Sequence, residues 1–351
     1  MLQSKKMLGT VLCSFLAMTI IAGCSSGGSS PVTTTNSPSA DNKPAATTTA
    51  KKEFTVAVVP KLVGIPYFNS AQAGAEQAGK DLGIKVIYTG PTQADAAQQS
   101  TFIQDLITKK VDAIAVSAND PTAIAPVLKK AQAAGIKVLT WDADAQEDSR
   151  DLFVSQTSDE ALGRHIMDTL AQQMGEEGEF AIITGSLTAG NLNTWMDYMK
   201  KQAAEKYPKM KLASVVPCDD DQQKALTQAQ NLISAYPNLK GIIGNSSAAV
   251  PGAAEAVKKA NKNGQIKVVG LSTPNLMKPY LKDNSAQMAT LWSPKKLGYL
   301  TVAAAKDMLD GKTLTDGQDI PNVGKVSVQG KVLIMGQPTD FTKDNVDQYD
   351  F

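Results

Sequence analysis

At 351 residues the chain exceeds what one hydrophobic core comfortably absorbs, so about two domains are expected. Its 42% hydrophobic and 20% charged residues describe a globular protein, and 35 Lys+Arg against 34 Asp+Glu leave no net field to recruit nucleic acid. Three cysteines, two of them within the first 24 residues, exclude a disulfide framework and a cysteine-ligated zinc site, and the single histidine, His165, excludes a multi-histidine metal centre. The balance favours binding over chemistry.

The first element is an export signal over 1–23. Lys5 and Lys6 precede an apolar run from Met7 to Ile21, followed by Ala22-Gly23-Cys24. A charged start, a short hydrophobic stretch and small residues at its end form the secretory pattern. The run falls short of the ~20 residues that span a bilayer. Ile21-Ala22-Gly23-Cys24 resembles the bacterial lipobox, which implies a lipidated Cys24 and a protein exported and lipid-anchored to the outer face of the cell membrane. Residues 25–52 are mostly Ser, Thr, Pro, Gly, Ala and Asn, with Val32 the only large aliphatic side chain. Such a composition cannot bury enough apolar surface to offset its ordering entropy, so 24–53 reads as a flexible tether.

From residue 54 onward, β-branched runs alternate with helical stretches. Strands are predicted at 54–59, 85–88, 111–116 and 137–141, with alanine-rich amphipathic helices at 71–82, 95–109 and 123–134. A second series places strands near 180–184, 212–216, 242–244, 268–271 and 288–292. Its helices fall near 159–174, 194–207, 221–235 and 252–261, and 294–310 follows the last strand. Strands separated by helices imply parallel sheets with right-handed crossovers and helices on both faces. The unit 85–116, with Gln104-Asp105-Leu106-Ile107 in its helix, has a counterpart at 212–244, with Gln230-Asn231-Leu232-Ile233 in the matching place. The expected class is therefore α/β, two doubly wound parallel-sheet lobes joined by a hinge. Crossings near Gln156-Thr157, near Trp292 and around 320–325 give a first lobe of 54–156 with 292–320. The second lobe is then 157–291 with 321–351.

Enzyme motifs fail on inspection. No two glycines are separated by a single residue, so the dinucleotide fingerprint is absent. Gly74-Ala75-Glu76-Gln77-Ala78-Gly79-Lys80 imitates a phosphate loop but continues into Asp81 and lies within a predicted helix. Asp142-Ala143-Asp144-Ala145-Gln146 begins like a calcium loop, yet Glu147 stands where the turn needs glycine. His165 reads as a surface or hinge-adjacent helix residue, Cys218 as a spectator thiol, and Asp219-Asp220-Asp221 as the cap of the following helix.

In open sheets of this kind ligands sit beyond the carboxyl ends of the strands. There the chain places Lys61 and the aromatic pair Tyr67-Phe68, then Asp142 after Thr140-Trp141. The second series contributes Asn191, Asn193 and Trp195, then Gly244-Asn245-Ser246-Ser247. A carboxylate accepts from adjacent hydroxyls, amides and hydroxyls donate and accept, and aromatic faces cover carbon. The set suits a sugar-sized polyol.

Pro60-Lys61-Leu62-Val63-Gly64, Tyr88-Thr89-Gly90-Pro91-Thr92, Leu139-Thr140-Trp141-Asp142, Ser272-Thr273-Pro274-Asn275 and the terminal Tyr349-Asp350-Phe351 resemble the type I periplasmic solute-binding proteins of ABC importers. The likeness is to the ribose- and rhamnose-binding kind, and within it to the autoinducer-2-binding proteins. Val116-Ser117-Ala118-Asn119-Asp120-Pro121 and the segment around Trp195 are equally similar to rhamnose-binding relatives. At the positions that hold autoinducer-2 in that group, Lys61 and Asp142 match its pattern. Asn191 stands in place of an acid, Leu192 in place of a glutamine, and Gly244 and Ser246 in place of a proline and an alanine. The resemblance implies a ligand site of Lys61, Phe68, Asp142, Asn191, Leu192, Asn193, Gly244 and Ser246. It implies a monomer without metal, cofactor or catalytic residues, which captures a small ligand by hinge closure and delivers it to an ABC permease. Autoinducer-2 is the first expected ligand, and rhamnose or another deoxysugar or pentose the alternative. An exported sugar-modifying enzyme on the same scaffold is the reading from another class. A sugar-responsive transcription regulator is set aside because the export signal occupies the place of a DNA-binding headpiece.

Overall fold

The computed structural model describes residues 53–351. The export signal, Cys24 and the tether up to residue 52 lie outside the described residues. The chain first forms β1 (Thr55–Val59), α1 (Pro66–Leu82), β2 (Lys85–Tyr88), α2 (Ala96–Thr108), β3 (Ala113–Val116), α3 (Ala125–Ala133), β4 (Lys137–Trp141) and β5 (Leu152–Ser155). It continues through α4 (Asp159–Met174), β6 (Gly178–Thr184), α5 (Gly190–Lys206), β7 (Met210–Pro217), α6 (Gln222–Ala235), β8 (Leu239–Asn245), α7 (Ala249–Lys259), β9 (Lys267–Leu271), α8 (Pro274–Lys282) and β10 (Met288–Leu291). Then come α9 (Pro294–Leu309), a short ribbon of β11 (Asp319–Ile320) and β12 (Gly324–Lys325), the hairpin β13 (Ser327–Gln329) and β14 (Val332–Ile334), and β15 (Thr339–Phe341).

Two sheets result, each with a parallel core of the same order. The first runs β13-β14-β5-β4-β3-β1-β2 and the second β15-β10-β9-β8-β6-β7. The internal repeat therefore falls on equivalent elements, β2-α2-β3 and β7-α6-β8, flanking β1 and β6. In both sheets the strand order reverses at the first strand, which is where the carboxyl ends open a crevice. This confirms the two-lobed α/β class.

The strands of the first sheet are apolar on both faces because both are covered. Val56, Val58, Ala113, Ala115 and Leu139 pack on the α1 and α9 side with Ala71, Ala75, Leu297 and Leu300. The alternate residues Ala57, Val59, Ile114, Val116 and Val138 pack with Ile103, Leu106 and Leu128 of α2 and α3. Helices α1 and α9 cross closely: a Cβ at Gly74 would lie 1.8 Å from the Lys295 carbonyl oxygen, and one at Gly298 would lie 2.0 Å from that of Ala71. Gly74 thus lets α1 approach α9, and Gly79 lets it approach Ile84 and Val86 at β2, so both are packing residues, which explains the phosphate-loop mimicry.

Seven elements go beyond the sequence expectation: β5, α8 and the five short strands β11 to β15. β5 follows β4 with only a single 3-10 turn between them, so no helical stretch announces it. α8 contains Pro274 at its start and Pro279 inside it, which masks its helical pattern. The last crossing also differs. β14 pairs in parallel with β5, and Arg150 Nη1 donates to the Lys331 carbonyl at 3.0 Å, so 327–334 belongs to the first sheet. The chain passes to the second sheet at 335–338, before β15 pairs with β10, instead of around 320–325. The terminal segment closes the second lobe: Phe341 meets the rings of Tyr349 and Phe351 at 4.8 and 5.8 Å, and Asn275 N–H donates to the Phe351 carbonyl.

Candidate ligand-binding site

The carboxyl ends of both sheets converge on one cleft. On the first lobe, a buried amide lattice fixes the loops. Gln99 of α2 donates to the carbonyls of Pro60 at 3.0 Å and Ser117 at 2.8 Å, tying the exit of β1 to that of β3. Asn119 in turn donates to the Lys61 carbonyl at 2.8 Å. Lys61 is thereby held at the cleft with only 4% of its surface exposed, a state that requires partners for its ammonium.

Asp142 supplies one. It leaves β4 in the left-handed region (φ 61°), a conformation aspartate tolerates better than most side chains. Its Oδ1 accepts from Tyr67 Oη at 2.6 Å, its Oδ2 accepts from Ser117 Oγ at 2.7 Å, and Lys61 Nζ stands 3.9 Å away. Burial, and then the neighbouring Asp142, push the Tyr67 hydroxyl far above its ordinary range, so it remains a donor.

Asn191, in the first turn of α5, joins the lobes. Its Oδ1 accepts from Lys61 Nζ at 2.8 Å and its Nδ2 donates to the Asp142 carbonyl at 3.3 Å. A third inter-lobe bond runs from Thr188 Oγ1 to the Asn119 carbonyl at 3.1 Å. The structure is thus a closed form.

Aromatic rings wall the cleft. Trp292 stands edge-on to Tyr67 and Trp195, at 6.2 and 5.8 Å, and its Nε1 donates to Tyr67 Oη at 3.0 Å. Phe68 lies between Tyr67 and Trp141. Trp195 is oriented by a 2.6 Å hydrogen bond from its Nε1 to Asp159, whose burial raises its pKa while that bond lowers it. Ile65, Leu192, Leu271 and Leu291 add an aliphatic margin.

Six of the eight sequence-predicted residues, Lys61, Phe68, Asp142, Asn191, Leu192 and Ser246, line this cleft together. Asn193 does not: it sits on another side of α5 and donates to the Leu187 carbonyl at 2.9 Å. Gly244 does not either, since a Cβ there would point at Val250, 2.5 Å from its Cγ2. Tyr67, Trp195, Trp292, Asp220 and Ser247 complete the lining. Tyr67 is signalled by its place beside Phe68, and Asp220 by its place beyond β7. The expectation that all three aspartates cap α6 holds for Asp221 alone, whose Oδ1 accepts from the Lys224 N–H at 2.7 Å. Cys218 is buried, and that burial pushes its thiol up to about 12, in keeping with an inert residue. Among the described residues no His, Cys, Asp or Glu cluster is arranged to hold a metal ion, and no helix is long and apolar enough to cross a membrane.

Comparison with known proteins agrees with this geometry. Residues 56–313 match the family model of the periplasmic binding protein domain. The ribose import binding protein of Bacillus subtilis is 27% identical over 263 residues, covering 75% of this chain and 84% of that protein. The solute-binding protein of Clostridium phytofermentas, solved with L-rhamnose, is 29% identical with a TM-score of 0.81 over 85% of this chain and 98% of that one. LsrB of Clostridium saccharobutylicum, solved with AI-2, is 28% identical with a TM-score of 0.79 over 85% of this chain and 100% of that one. These relatives are named for binding and transport rather than for catalysis. With the shared strand order, the facing strand ends and the closed inter-lobe cleft, the chain belongs to the periplasmic binding protein family and has its type I fold.

Proposed function

We propose that the protein is the ligand-capture component of an ABC importer and binds an uncharged, hydroxyl-bearing small molecule between its lobes. The observation that carries this reading is the bonding of Lys61 and Asp142, from one lobe, to Asn191 of the other inside an aromatic-walled cleft. Hydroxyls between these groups meet acceptors at Asp142 and donors at Lys61 and Asn191, while rings cover the carbon skeleton. Leu192, Leu271 and Leu291 offer an apolar wall to a methyl group. Autoinducer-2 in its cyclised form and L-rhamnose both carry hydroxyls and a methyl. We take autoinducer-2 first, on the likeness of the N-terminal and C-terminal motifs to its binding proteins; of the six positions that hold it in that group, Lys61 and Asp142 match and four differ. L-rhamnose is the second reading, supported by the likeness to the rhamnose-bound neighbour.

Ligand contacting both lobes only when they are closed supplies the differential affinity that drives closure. A wrong epimer leaves buried polar groups unpaired, at roughly 1–3 kcal/mol each, and so is rejected. The Ser/Thr-rich tether and Cys24 fit a monomeric receptor held by lipid near its permease. Calorimetric titration of the full chain with autoinducer-2, L-rhamnose and D-ribose tests the reading. A Kd of about 1 μM or tighter for the first, or failing that the second, supports it. No binding by any of the three refutes it.

A further inference from the structure

We propose that Asp220 is the ligand-contacting carboxylate of the second lobe, and that together with Asp142 on the first it restricts the cleft to uncharged polyols. The assignment rests on the reading of the cleft as the site of a sugar-sized ligand. The three consecutive aspartates after β7 divide into separate roles. Asp221 caps α6 through the Lys224 N–H, and the exposed Asp219 pairs with the Lys224 ammonium. Asp220 does neither. It is only 8% exposed and lines the cleft with Lys61 and Ser246.

The local backbone is built to put it there. Asp219 and Asp220 are both left-handed, at φ 52° and 57°, which turns the middle carboxylate inward while its neighbours face solvent. The Cys218 N–H donates to the Thr184 carbonyl at 2.8 Å and the Asp219 N–H to the Gly185 carbonyl at 2.9 Å, pinning this turn to the exit of β6. Gly185 leaves room for the carboxylate: a Cβ there would sit 2.5 Å from Asp220 Oδ1 and 2.8 Å from Leu192 Cδ1. A capping residue needs none of this.

The consequence is a charge count. One cation, Lys61, faces two buried carboxylates that enter from opposite lobes. Burial raises the Asp220 pKa, while the Lys61 charge and a side-chain hydrogen bond from Ser246 work against that rise. A ligand carrying its own carboxylate or phosphate would add a third negative charge and find no second cation among the described residues that line the cleft.

The test is calorimetric titration of the full chain with autoinducer-2, L-rhamnose and D-ribose, comparing the wild type with Asp220→Ala, Gly185→Ala and Asp219→Asn. Thermal melts establish that each variant is folded. For whichever ligand the wild type binds, Asp220→Ala should weaken binding at least tenfold. Gly185→Ala, which keeps the carboxylate but displaces it, should do the same, and Asp219→Asn should stay within twofold of wild type. D-ribose 5-phosphate should not bind the wild type. Wild-type affinity in a folded Asp220→Ala, or tight binding of the phosphorylated sugar, overturns the assignment while leaving the proposed function standing. A wild type that binds none of the three neutral ligands overturns both.

Discussion

Asp142 holds the first lobe's half of the cleft through bonds to Tyr67 and Ser117 and the nearby Lys61 ammonium. Hydrogen bonds to charged groups contribute about 1.5–3 kcal/mol each. Asp142→Ala should therefore weaken ligand binding about 100-fold or more, while the apo protein still unfolds in one cooperative transition. Unchanged affinity by titration calorimetry would remove Asp142 from the site. Lys61 and Asp142 were readable from sequence because each directly follows an unmistakable strand. Asp220 obeys the same rule but stands one residue before a true cap, and a sequence does not reveal which of three adjacent aspartates turns inward. Asn193 lies two residues, or about 200° of helical rotation, from Asn191, so the two cannot share a face. Gly244 lies one residue before the end of β8, and the Cβ direction there is turned toward Val250 of α7, which the sequence pattern does not show.

Helix packing and the second-lobe ion pair carry the next predictions. Because a Cβ at Gly298 would meet the backbone of α1, Gly298→Ala should destabilise the protein by about 1–3 kcal/mol in urea unfolding, without touching the cleft. Stability equal to wild type would mean that α1 and α9 can separate freely. His165 of α4 bonds both oxygens of Asp340 in β15 at 2.9 Å. That bond raises the histidine pKa above its ordinary 6.5. The pair's contribution is then complete below about pH 6.5 and is lost as pH rises through the raised folded value. With both side chains 41% exposed, solvent screening limits it to below about 1 kcal/mol. Urea unfolding between pH 6 and pH 9 should show this decline in wild type and not in His165→Asn; parallel profiles for the two would exclude the pair. At this scale the strands and helices with clean periodicity were legible in the sequence, β2, β4 and α4 to the residue. The elements missed lacked their usual signals: β5 has no preceding helix, α8 carries an internal proline, and β11 to β15 are only two or three residues each.

For the whole molecule, two copies of one topology face each other, and the bonds that join them across the cleft come from groups that a ligand would also engage. Lys61, Asn191 and the Asp142 carbonyl satisfy one another in the closed form. Ligand hydroxyls entering this set would exchange partners rather than strip them, which keeps closure reversible. The two-lobed design was readable from the faint repeat and the βα alternation. The last crossing was not, because β13 and β14 are only three residues each and their membership in the first sheet depends on pairing with β5, a long-range contact. Closure itself can be measured between Gln93 and Lys224, which line a groove beside the cleft from opposite lobes. With spin labels at these two exposed positions, pulsed electron resonance distances should collapse to a single short population when ligand is added and broaden to longer ones without it. Identical distance distributions with and without bound ligand would contradict closure over the ligand.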